Sequence, residues 1–499
     1  MIDPSELDLD EAMLSVLRES RHDEIPDVIR HADFNLAWPE LREDLSTRLR
    51  NGTYTPRTPR IVEVPKSELA TRPMAVLDMT DRILYQALMM DIGTKLDSEL
   101  PAEVFSARLR HNKRGQAVIR DPRRAWVDFQ RAGRDLCDRY EQVCMLTTDM
   151  TSYFEYIDID LLLSDLRMVQ GVSPERIDLL ARMLHGWNTN SAMNGIPQGP
   201  DVSSFLGNFY LRPIDAILRK LDVRFIRFQD DIRVFAHKRH VLREAIHDVI
   251  PVVRGRHLNL ATGKTKILEG SAVIEHFEDA KKDAIQYRIQ ISDTSVAVDI
   301  RQLFDDAVTG KINTRDVRFS VYRLSNLGDD HAVEWILEHL DDVPYLSELL
   351  VDYLSKNSET HPDIETRIVE FLADSERNID PYVEMQLIRM FANSGEVLEE
   401  TYDALWAILL NPARDGLSRQ FAARAVARHM QPSRSADLVL LTGLFQKSTP
   451  DPELRRALLV ALKEAGDADA QFLANVGQGD PHLKHVTKYL ASDPQVPNP

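Results

Sequence analysis

The chain has 499 residues, a formal net charge of −18 at pH 7, and 43% hydrophobic residues. This length predicts roughly three domains of about 150 residues each, with ordinary buried cores. The two cysteines are too few for a disulfide framework or a cysteine-rich zinc site. No run approaches the roughly 20 apolar residues that span a bilayer, and the N-terminus lacks the basic start of a signal peptide. We therefore expect a cytoplasmic protein with no membrane partner.

The negative charge is unevenly distributed along the chain. From residue 291 onward there are 20 Lys and Arg against 34 Asp and Glu, a net charge of −14, which leaves −4 for residues 1–290. The C-terminal part is therefore a poor candidate for nonspecific nucleic-acid binding, whereas the front part is not excluded.

The first 55 residues predict helices, with an amphipathic pattern at 10–18 and a second helical pattern at 38–49. Prolines at positions 56, 59 and 65 then predict an extended segment. Further on, residues 105–134 contain nine basic residues and only two acidic ones. This basic stretch predicts a contact with a nucleic-acid backbone, the alternative being a solvated charged face. Its basic residues are Arg108, Arg110, Lys113, Arg114, Arg120, Arg123, Arg124, Arg131 and Arg134.

An apolar run at residues 143–148 ends in Asp149, and a helical pattern follows at 160–169. The run predicts a strand, and an aspartate at the C-terminal end of a strand lies where an open sheet exposes functional groups. The alternative is that Asp149 caps the segment that begins with Thr151 and Ser152.

A loop punctuated by glycine and proline at residues 194–200 leads into an apolar helix at 201–211. Such a loop predicts that Gln198 lies beside the sheet, with the helix packed beneath it. The alternative is an ordinary loop amide that caps this helix.

Residues 223–236 predict two short strands folded back on each other, with Asp230 and Asp231 at the turn. Apolar and polar residues alternate on both sides of the turn, as they do in half-buried strands. Paired carboxylates on a hairpin offer the hard oxygen ligands that Mg²⁺ prefers. Because like charges repel, a third carboxylate such as Asp149 would converge on them only with a cation present.

The turn after the hairpin contains Gly263, Lys264 and Thr265. Residues 285–291 alternate in polarity and predict a final strand, so that the mixed region ends near residue 290. Beyond about residue 300 the pattern is helical, and pairs of helices recur at roughly 35 residues, which is typical of helical solenoids. We predict a HEAT-like array, the alternative being an ordinary helical bundle. The predicted helices cover residues 332–340, 345–355, 364–373, 382–392, 398–410, 417–430, 436–445 and 452–465.

The order of these segments resembles the fingers and palm of reverse transcriptases over roughly residues 60–290. Four palm motifs and a fingers region have counterparts in that order, although each is weak alone. The third motif departs from the commoner Tyr-x-Asp-Asp form. The segments that carry the resemblance are Asp149 with Phe154, Pro197-Gln198-Gly199, Phe228-Gln229-Asp230-Asp231, Gly263-Lys264-Thr265, Arg72-Pro73-Met74, Asp81-Arg82-Ile83 and Val104–Leu109.

The resemblance implies an RNA-directed DNA polymerase-like nucleotidyltransferase that uses dNTPs and two Mg²⁺ ions, with Mn²⁺ as the alternative ion. Asp149, Asp230 and Asp231 would be the catalytic carboxylates, and with the carbonyl of Met150 they would bind the metals. Phe154 would exclude a 2′-hydroxyl, Gln198 would contact the nucleotide, and Arg72 and Lys264 would contact the triphosphate. The alternatives are a core role for Phe154 and a surface role for Arg72 and Lys264. Arg82 is as well explained by a structural ion pair.

A palm followed by a helical-repeat domain resembles the abortive-infection and unknown-group bacterial reverse transcriptases of antiphage defence. This resemblance implies DNA synthesis without a conventional template, priming from a protein hydroxyl, and a homo-oligomer. The expected class is α+β, a right-hand polymerase fingers and palm before an all-α HEAT-like domain. The expected boundaries are 1–55 for an N-terminal helical segment, 56–295 for fingers and palm, and 296–499 for the repeats.

Two rival functions remain open from the sequence. A retron-type or intron-type enzyme would copy an RNA template, and a basic RNA-binding C-terminus would favour it. A catalytically silent scaffold would bind partners through its helices. The three aspartates argue against the scaffold, and the acidic C-terminal part does not favour the RNA-binding enzyme.

Overall fold

Strands and helices alternate over the first 280 residues, and the described residues beyond them are helical. The computed structural model describes residues 3–110, 119–139, 143–189, 192–277, 279–290, 293, 295–431, 435–447 and 451–499. The predicted mixture of helices and sheet is confirmed. The strands are β1 (Arg60–Pro65), β2 (Thr71–Val76), β3 (Cys144–Thr148), β4 (Arg224–Phe228), β5 (Asp231–Ala236) and β6 (Lys266–Glu269).

Strands β3 to β6 form one antiparallel sheet in the order β4–β5–β3–β6, and β1 pairs with β2 in a separate hairpin. Phe228 pairs with Asp231 across β4 and β5, so that Gln229 and Asp230 form a two-residue turn. Thr148 pairs with Ile232 across β3 and β5. The residue after β3 therefore lies level with the beginning of β5, and the two predicted acidic segments meet at one end of the sheet.

The helices that accompany the sheet have the bounds α1 (Leu9–Glu19), α2 (Ala32–Arg50), α3 (Met79–Asp97), α4 (Pro122–Cys137), α5 (Ile159–Arg167), α6 (Pro174–Thr189), α7 (Asp201–Tyr210), α8 (Arg212–Lys220), α9 (Arg239–Gly255) and α10 (Ser271–Phe277). A short 3₁₀ helix lies at Tyr153–Tyr156. Helices predicted at 10–18, 38–49, 160–169 and 201–211 are confirmed within a few residues, apart from the longer N-terminal extent of α2.

Apolar side chains fix the sheet against helices on both faces. On one face, Phe129 of α4 and Phe277 of α10 pack with Phe235 of β5 in a single buried cluster. On the other face, α9 contacts β3, β5 and β6 through its buried apolar positions. Alternating side chains of β5 thus have a helix on each side, which holds the strand ends in place.

The described residues after the sheet form helices α11 (Ala280–Gln290), α12 (Val296–Val308), α13 (Thr314–Leu327), α14 (Val333–Glu338), α15 (Ser347–Asn357), α16 (Asp363–Ala373), α17 (Pro381–Asn393), α18 (Glu399–Leu410), α19 (Gly416–His429), α20 (Ser435–Gln446), α21 (Pro452–Glu464), α22 (Ala470–Gly479) and α23 (Lys484–Ala491). The eight helices predicted from residue 332 onward are all confirmed. None of the described helices is long and apolar enough to cross a membrane.

The strand predicted at residues 285–291 is wrong, because α11 covers this segment as far as Gln290. Burial follows a helical period there, since Lys282 and Ile285 are buried whereas Tyr287 is 63% exposed. The ammonium of Lys282 forms an ion pair with Asp316 of α13. The polarity alternation that suggested a strand is therefore also compatible with a helix whose buried positions recur every three or four residues.

The structure divides into two compact units. The first contains Met1–Ile25, Glu40–Val62 and Pro73–Ala280, and therefore the whole four-stranded sheet. The second contains Lys281–Pro499 together with two earlier segments, Pro26–Pro39 and Glu63–Arg72.

Within the second unit, a segment from near the N-terminus is held by a buried arginine. The guanidinium of Arg456 on α21 is within 2.6 Å of Asp27 and within 2.7 Å of Asp33. All three side chains are largely buried. The helical region therefore includes residues 26–39 as part of its own packing.

Candidate functional site

Asp149 follows β3 directly, and the backbone around it is fixed by a bridge between Met150 and Leu260. The amide of Ala261 donates to the carbonyl of Asp149 (2.8 Å), and the amide of Thr151 donates to the carbonyl of Asn259 (2.9 Å). This bridge uses the carbonyl of Asp149 and leaves that of Met150 outside the pairing. The bridge therefore does not use the carbonyl of Met150, the residue that follows Asp149.

The structure brings Asp149 and Asp230 into direct contact through hydrogen-bonded carboxyl groups. Burial, the hydrogen bond with Asp149 and the Asp149 charge raise the pKa of Asp230 to about 8. Burial also disfavours the charged form of Asp149, but hydrogen bonds with Asp230 and Lys264 outweigh it and hold the pKa of Asp149 below its ordinary value. A cation bound between two such carboxyl groups would offset the repulsion of their charges.

Lys264 lies in the turn before β6, where its ammonium forms an ion pair with Asp149. The hydroxyls of Thr148 and Thr265 are 2.7 Å apart and tie this turn to the end of β3. Partial burial acts against the charged ammonium, but Asp149 and the neighbouring aspartates keep the pKa of Lys264 above its ordinary value. Lys264 therefore lies beside the aspartates, and its contact with a triphosphate stays a prediction.

Asp231 is the first residue of β5, and it interacts with Arg233 two positions later on the same strand. The two side chains are 3.1 Å apart at their closest nitrogen and oxygen. The Arg233 guanidinium lies 4.4 Å from the ring centre of Phe129, 5.0 Å from that of Phe277 and 5.7 Å from that of Trp126. Burial raises the pKa of Asp231, and Arg233 opposes this effect. Arg233 was not predicted from the sequence, and its contact with Asp231 restrains that side chain at the start of β5.

Phe154 and the Gln198 loop lie against each other. The amide of Ile196 donates to the carbonyl of Phe154 (3.1 Å), and Gly195 has φ +69° at this contact. A Cβ on Gly195 would lie 2.1 Å from the Phe154 carbonyl oxygen, so only glycine fits there. The Phe154 side chain is half-buried. The loop is held on its other side by the amide of Ala75, which donates to the carbonyl of Gln198 (2.9 Å).

The two arginines of the predicted fingers region have different positions. Arg72 lies on β2 in the segment Glu63–Arg72, which belongs to the second compact unit. Its contact with a triphosphate stays a prediction. Arg82 on α3 forms ion pairs with Glu19 (2.8 Å) and Asp23 (2.5 Å). A structural role therefore accounts for Arg82.

The basic stretch separates into structural and exposed arginines. Arg108 donates to the Asp97 carboxylate and to backbone carbonyls, which accounts for it as a structural residue. Arg123, Arg124 and Arg131 lie exposed on α4. Lys113 and Arg114 lie outside the described residues.

A cavity of about 330 Å³ lies beside the α4 arginines. Three of the arginines in the basic stretch line it, with one phenylalanine ring at its wall. The lining consists of Phe105, Arg110, Arg120, Asp121, Arg124, Ala125 and Asp128.

Beneath the turn of Asp230 lies a buried polar network that the sequence analysis missed. Arg227 of β4 and Asp215 of α8 form a fully buried ion pair with a closest distance of 2.6 Å. Arg227 also donates to the side chain of Asn208 (2.8 Å) and to the carbonyl of Gln229 (2.9 Å). The available signal was the presence of Asn208 inside the apolar helix α7 and of Arg227 between apolar residues of β4.

The chemistry of these donors fits a divalent cation. No group of three or more His, Cys, Asp and Glu side chains forms a ready-made cation site in the part of the chain that the structure describes. Asp149 and Asp230 nevertheless converge, the carbonyl of Met150 belongs to the residue after Asp149, and carboxylate and carbonyl oxygens suit Mg²⁺. The ammonium of Lys264 balances part of their negative charge, and a cation can take its place.

Comparison with known proteins assigns this region to a class. Residues 64–305, just under half of the chain, match the family model described as reverse transcriptase (RNA-dependent DNA polymerase). The predicted resemblance to reverse transcriptases is confirmed over this segment. The matched segment contains the whole four-stranded sheet together with Asp149 and Asp230.

One curated relative is "Protein YkfC" of Escherichia coli (strain K12), which is 25% identical over 182 residues. The alignment covers 35% of this chain and 45% of that protein, so this chain spans less than half the length of the relative.

Two solved structures also resemble parts of this chain, both with a TM-score below 0.5. A structure described as a partial Cas6-RT-Cas1–Cas2 complex has 17% identity and a TM-score of 0.27, and the match covers 50% of this chain and 42% of that one. A structure of telomerase from Candida albicans with a TWJ fragment of telomeric RNA has 11% identity and a TM-score of 0.33, with 70% of each chain covered. At these scores neither structure bears on the fold.

Proposed function

We propose that this protein adds deoxynucleotides to a growing DNA strand at the sheet end that carries Asp149 and Asp230. The observation that carries the proposal is the direct contact of these two carboxyl groups, with Lys264 paired to one of them. The reverse transcriptase match over residues 64–305 supports the same reaction class.

In this proposal, Asp149, Asp230 and the carbonyl of Met150 hold two Mg²⁺ ions, or Mn²⁺ in their place, and Asp231 supports them. Bound metals supply charge stabilisation for the attacking and leaving oxygens of phosphoryl transfer. The sheet contributes rigidity, because β3 and β5 are paired up to the residues beside the carboxylates. Arg233 keeps Asp231 in place, so that the turn presents Asp230 to the metals.

The nucleotide would be contacted by side chains around this end of the sheet. A divalent cation on Asp149 would replace the ammonium of Lys264 as its counter-charge, which makes Lys264 available to the triphosphate. Gln198 lies in a loop fixed between β2 and Phe154, which supports its proposed contact with the incoming dNTP. Arg72 is proposed as a further triphosphate ligand.

Replacing Phe154 with valine is expected to weaken the exclusion of ribonucleotides. The proposed role of the ring is to fill the space of a 2′-hydroxyl, and relief of such overpacking is worth roughly 1–3 kcal/mol. Discrimination between a matched dNTP and rNTP should therefore fall by about one to two powers of ten. Single-nucleotide incorporation measures this ratio, with Asp149→Asn as the inactive control. An unchanged ratio in an active variant would assign Phe154 to core packing alone.

Nucleic acid is proposed to contact the exposed arginines of α4. Their phosphate contacts should release counterions, with a salt slope of about 0.7 per contact on single-stranded DNA. Changing Arg123 and Arg124 together to glutamine should therefore reduce the slope by about 1.4. Fluorescence anisotropy with a single-stranded oligonucleotide at several salt concentrations measures it. Arg182→Gln, an exposed arginine on α6, is the matched control, and equal slopes in all proteins would remove α4 from the interface.

The C-terminal helices are proposed to form a HEAT-like repeat. Alternate helices α13, α15, α17, α19 and α21 pack successively against one another, as stacked repeat units do. Ion pairs recur between side chains about one repeat apart in sequence, which supports a unit of roughly 35 residues. These pairs are Arg301–Asp329, His361–Asp330, Arg367–Glu334, Arg377–Asp341 and Arg414–Glu384, with separations of 28, 31, 33, 36 and 30 residues.

We further propose that the protein is an antiphage effector of the abortive-infection type, acts as a homo-oligomer in the cytoplasm, and primes DNA synthesis from its own hydroxyl without a conventional template. This rests on the order of a reverse transcriptase region and an acidic helical region. Helical-repeat surfaces commonly bind protein, and the net charge of −14 beyond residue 290 disfavours nonspecific binding to nucleic acid.

One assay separates this proposal from its rivals. The purified full chain is supplied with Mg²⁺ and each dNTP separately or all four together, with and without an RNA template. Products are then tested for attachment to protein. Protein-linked DNA without added RNA would support the proposal, whereas synthesis only on RNA would favour a retron-type or intron-type enzyme. No incorporation under any condition would favour a silent scaffold.

A further inference from the structure

The turn that carries Asp230 has an unusual backbone at Gln229. This residue has φ +57°, in the left-handed region that side chains other than glycine, asparagine and aspartate rarely occupy. A glutamine there raises the energy of the turn, since its Cβ crowds the following carbonyl. Interactions elsewhere must therefore stabilise this conformation.

The polar groups of Gln229 provide those interactions. Its amide donates to the hydroxyl oxygen of Ser106 (2.6 Å), and its carbonyl accepts from Arg227 (2.9 Å). Its side-chain nitrogen donates to the carbonyl of Ser204 on α7 (2.7 Å). Its side-chain oxygen lies 3.2 Å from the Ser106 hydroxyl, which also lies 3.3 Å from Asn208. Both the backbone and the side chain of Gln229 are thus tied to surrounding elements.

The partners of Gln229 are themselves fixed. Arg227 is fully buried and its guanidinium is paired with Asp215 through two contacts of 2.8 and 2.6 Å. Asn208 of α7 accepts from Arg227 and donates to the carbonyl of Ser106. The turn therefore depends on buried groups that cannot exchange their partners for water.

The approach of α7 to the turn is unusually close. A Cβ on Gly207 would lie 3.0 Å from the side-chain nitrogen of Gln229 and 3.1 Å from the ring of Tyr153. The same helix begins directly after the loop of Gln198, Gly199 and Pro200. Gln229 thus bridges the carboxylate turn and the helix that follows the proposed nucleotide-binding loop.

We infer that Gln229 is a positioning residue that fixes the orientation of Asp230 and couples it to α7. The inference rests on the proposed function, because it assigns Asp230 a role in metal binding. A small displacement of a reacting group costs about a hundredfold in rate. A turn residue that only connected two strands would need none of the four polar contacts that Gln229 makes.

The test compares Gln229→Ala with Gln229→Gly. Both substitutions remove the side-chain bonds, but glycine accepts φ +57° without strain whereas alanine does not. Gln229→Gly is therefore expected to melt at a higher temperature than Gln229→Ala. Both variants should lose about a hundredfold in kcat, with the KM for dNTP changed much less. Gln170→Ala, an exposed glutamine between α5 and α6, is the matched control and should behave as the wild type.

A second measurement does not require activity. Mn²⁺ binding to the nucleotide-free protein, followed by electron paramagnetic resonance, should weaken in both Gln229 variants and in Asp230→Asn. Ser106→Ala should show a smaller loss in the same direction, and its combination with Gln229→Ala should be less than multiplicative because the two residues share bonds.

The outcomes separate the two proposals. Wild-type kcat and Mn²⁺ affinity in Gln229→Gly would overturn the positioning role, while loss of incorporation in Asp149→Asn would leave the proposed function standing. If Asp149→Asn and Asp230→Asn change neither incorporation nor Mn²⁺ binding, the proposed function itself fails. Recovery of both melting temperature and kcat in Gln229→Gly would assign the glutamine to backbone support alone.

Discussion

Replacing Asp230 with asparagine, alone or together with Asp231→Asn, is expected to abolish nucleotide incorporation. Asparagine keeps the size of the side chain and removes the charge that Mg²⁺ requires. Loss of a metal ligand forfeits several kcal/mol of stabilisation in the transition state, which corresponds to at least about two powers of ten in rate.

The same single substitution is expected to stabilise the metal-free protein. The pKa of Asp230 is raised from 3.8 to about 8 by burial and by Asp149, so the folded state resists ionisation of this carboxyl. The contribution of the protonated Asp230 carboxyl to the free energy of unfolding is complete below pH 3.8. It is lost as the pH rises towards about 8, because the unfolded chain releases this proton at a lower pH than the folded chain. Asparagine avoids this penalty. The melting temperature of Asp230→Asn should therefore exceed that of the wild type, increasingly so towards pH 8.

The effect on stability is measured by thermal unfolding in EDTA at several pH values. The effect on activity is measured by incorporation of labelled dNTP in Mg²⁺. Asp222→Asn, an exposed aspartate just before β4, is the matched control and should leave both quantities unchanged. Incorporation at the wild-type rate in Asp230→Asn would make the metal-site assignment wrong. A melting temperature lower than that of the wild type at pH 8 would instead contradict the raised pKa of Asp230.

The local pattern of the sequence predicted the end of the sheet well. Polarity alternates on both sides of Asp230 and Asp231, and an apolar run precedes Asp149. Both patterns predict strands, and the pairing of strands brings their end residues to one edge of the sheet. The meeting of Asp149 and Asp230 follows from the pairing of β3 with β5. The same logic failed at residues 285–291, where a short alternating pattern fits a strand and a helix equally well.

The partners of these residues could not be predicted in the same way. Ser106 contacts Gln229 across 123 residues, and Arg227 contacts Asn208 across 19. The period of a sequence pattern indicates which face of a helix or strand is buried. It does not indicate which buried polar groups form hydrogen bonds with each other. Arg233 illustrates the same limit, because its aromatic surroundings come from α4 and α10.

The longest-range feature lies in the second compact unit, where residues 26–39 pack with α19 and α21. Arg424 of α19 donates to the carbonyl of Val28, and Arg456 of α21 holds Asp27 and Asp33 across more than 420 residues of sequence. The sequence pattern assigned residues 1–55 to one helical segment. Only the folded chain shows that part of this segment is packed into the second unit.

Replacing Arg456 with methionine is expected to destabilise the second unit by about 3–5 kcal/mol, because removal of one partner leaves buried charges uncompensated. Burial acts against the charged Asp27, and Arg456 and His31 hold its pKa well below the usual range. Urea unfolding followed by circular dichroism, with limited proteolysis between residues 26 and 39, measures the effect. Arg367→Met is the matched control, since its pair with Glu334 is solvent-exposed and worth at most about 1 kcal/mol.

A further variant distinguishes two causes of the lost stability, uncompensated buried charge and a simple packing defect. If uncompensated carboxylates cause it, adding Asp27→Asn and Asp33→Asn to Arg456→Met should recover a large part of the stability, because a neutral trio carries no desolvated charge. Methionine retains much of the apolar stem of arginine, so a pure packing defect should be small in the single variant and unchanged in the triple variant. Equal stability of the Arg456→Met and Arg367→Met proteins would show that Arg456 does not hold residues 26–39 in the second unit.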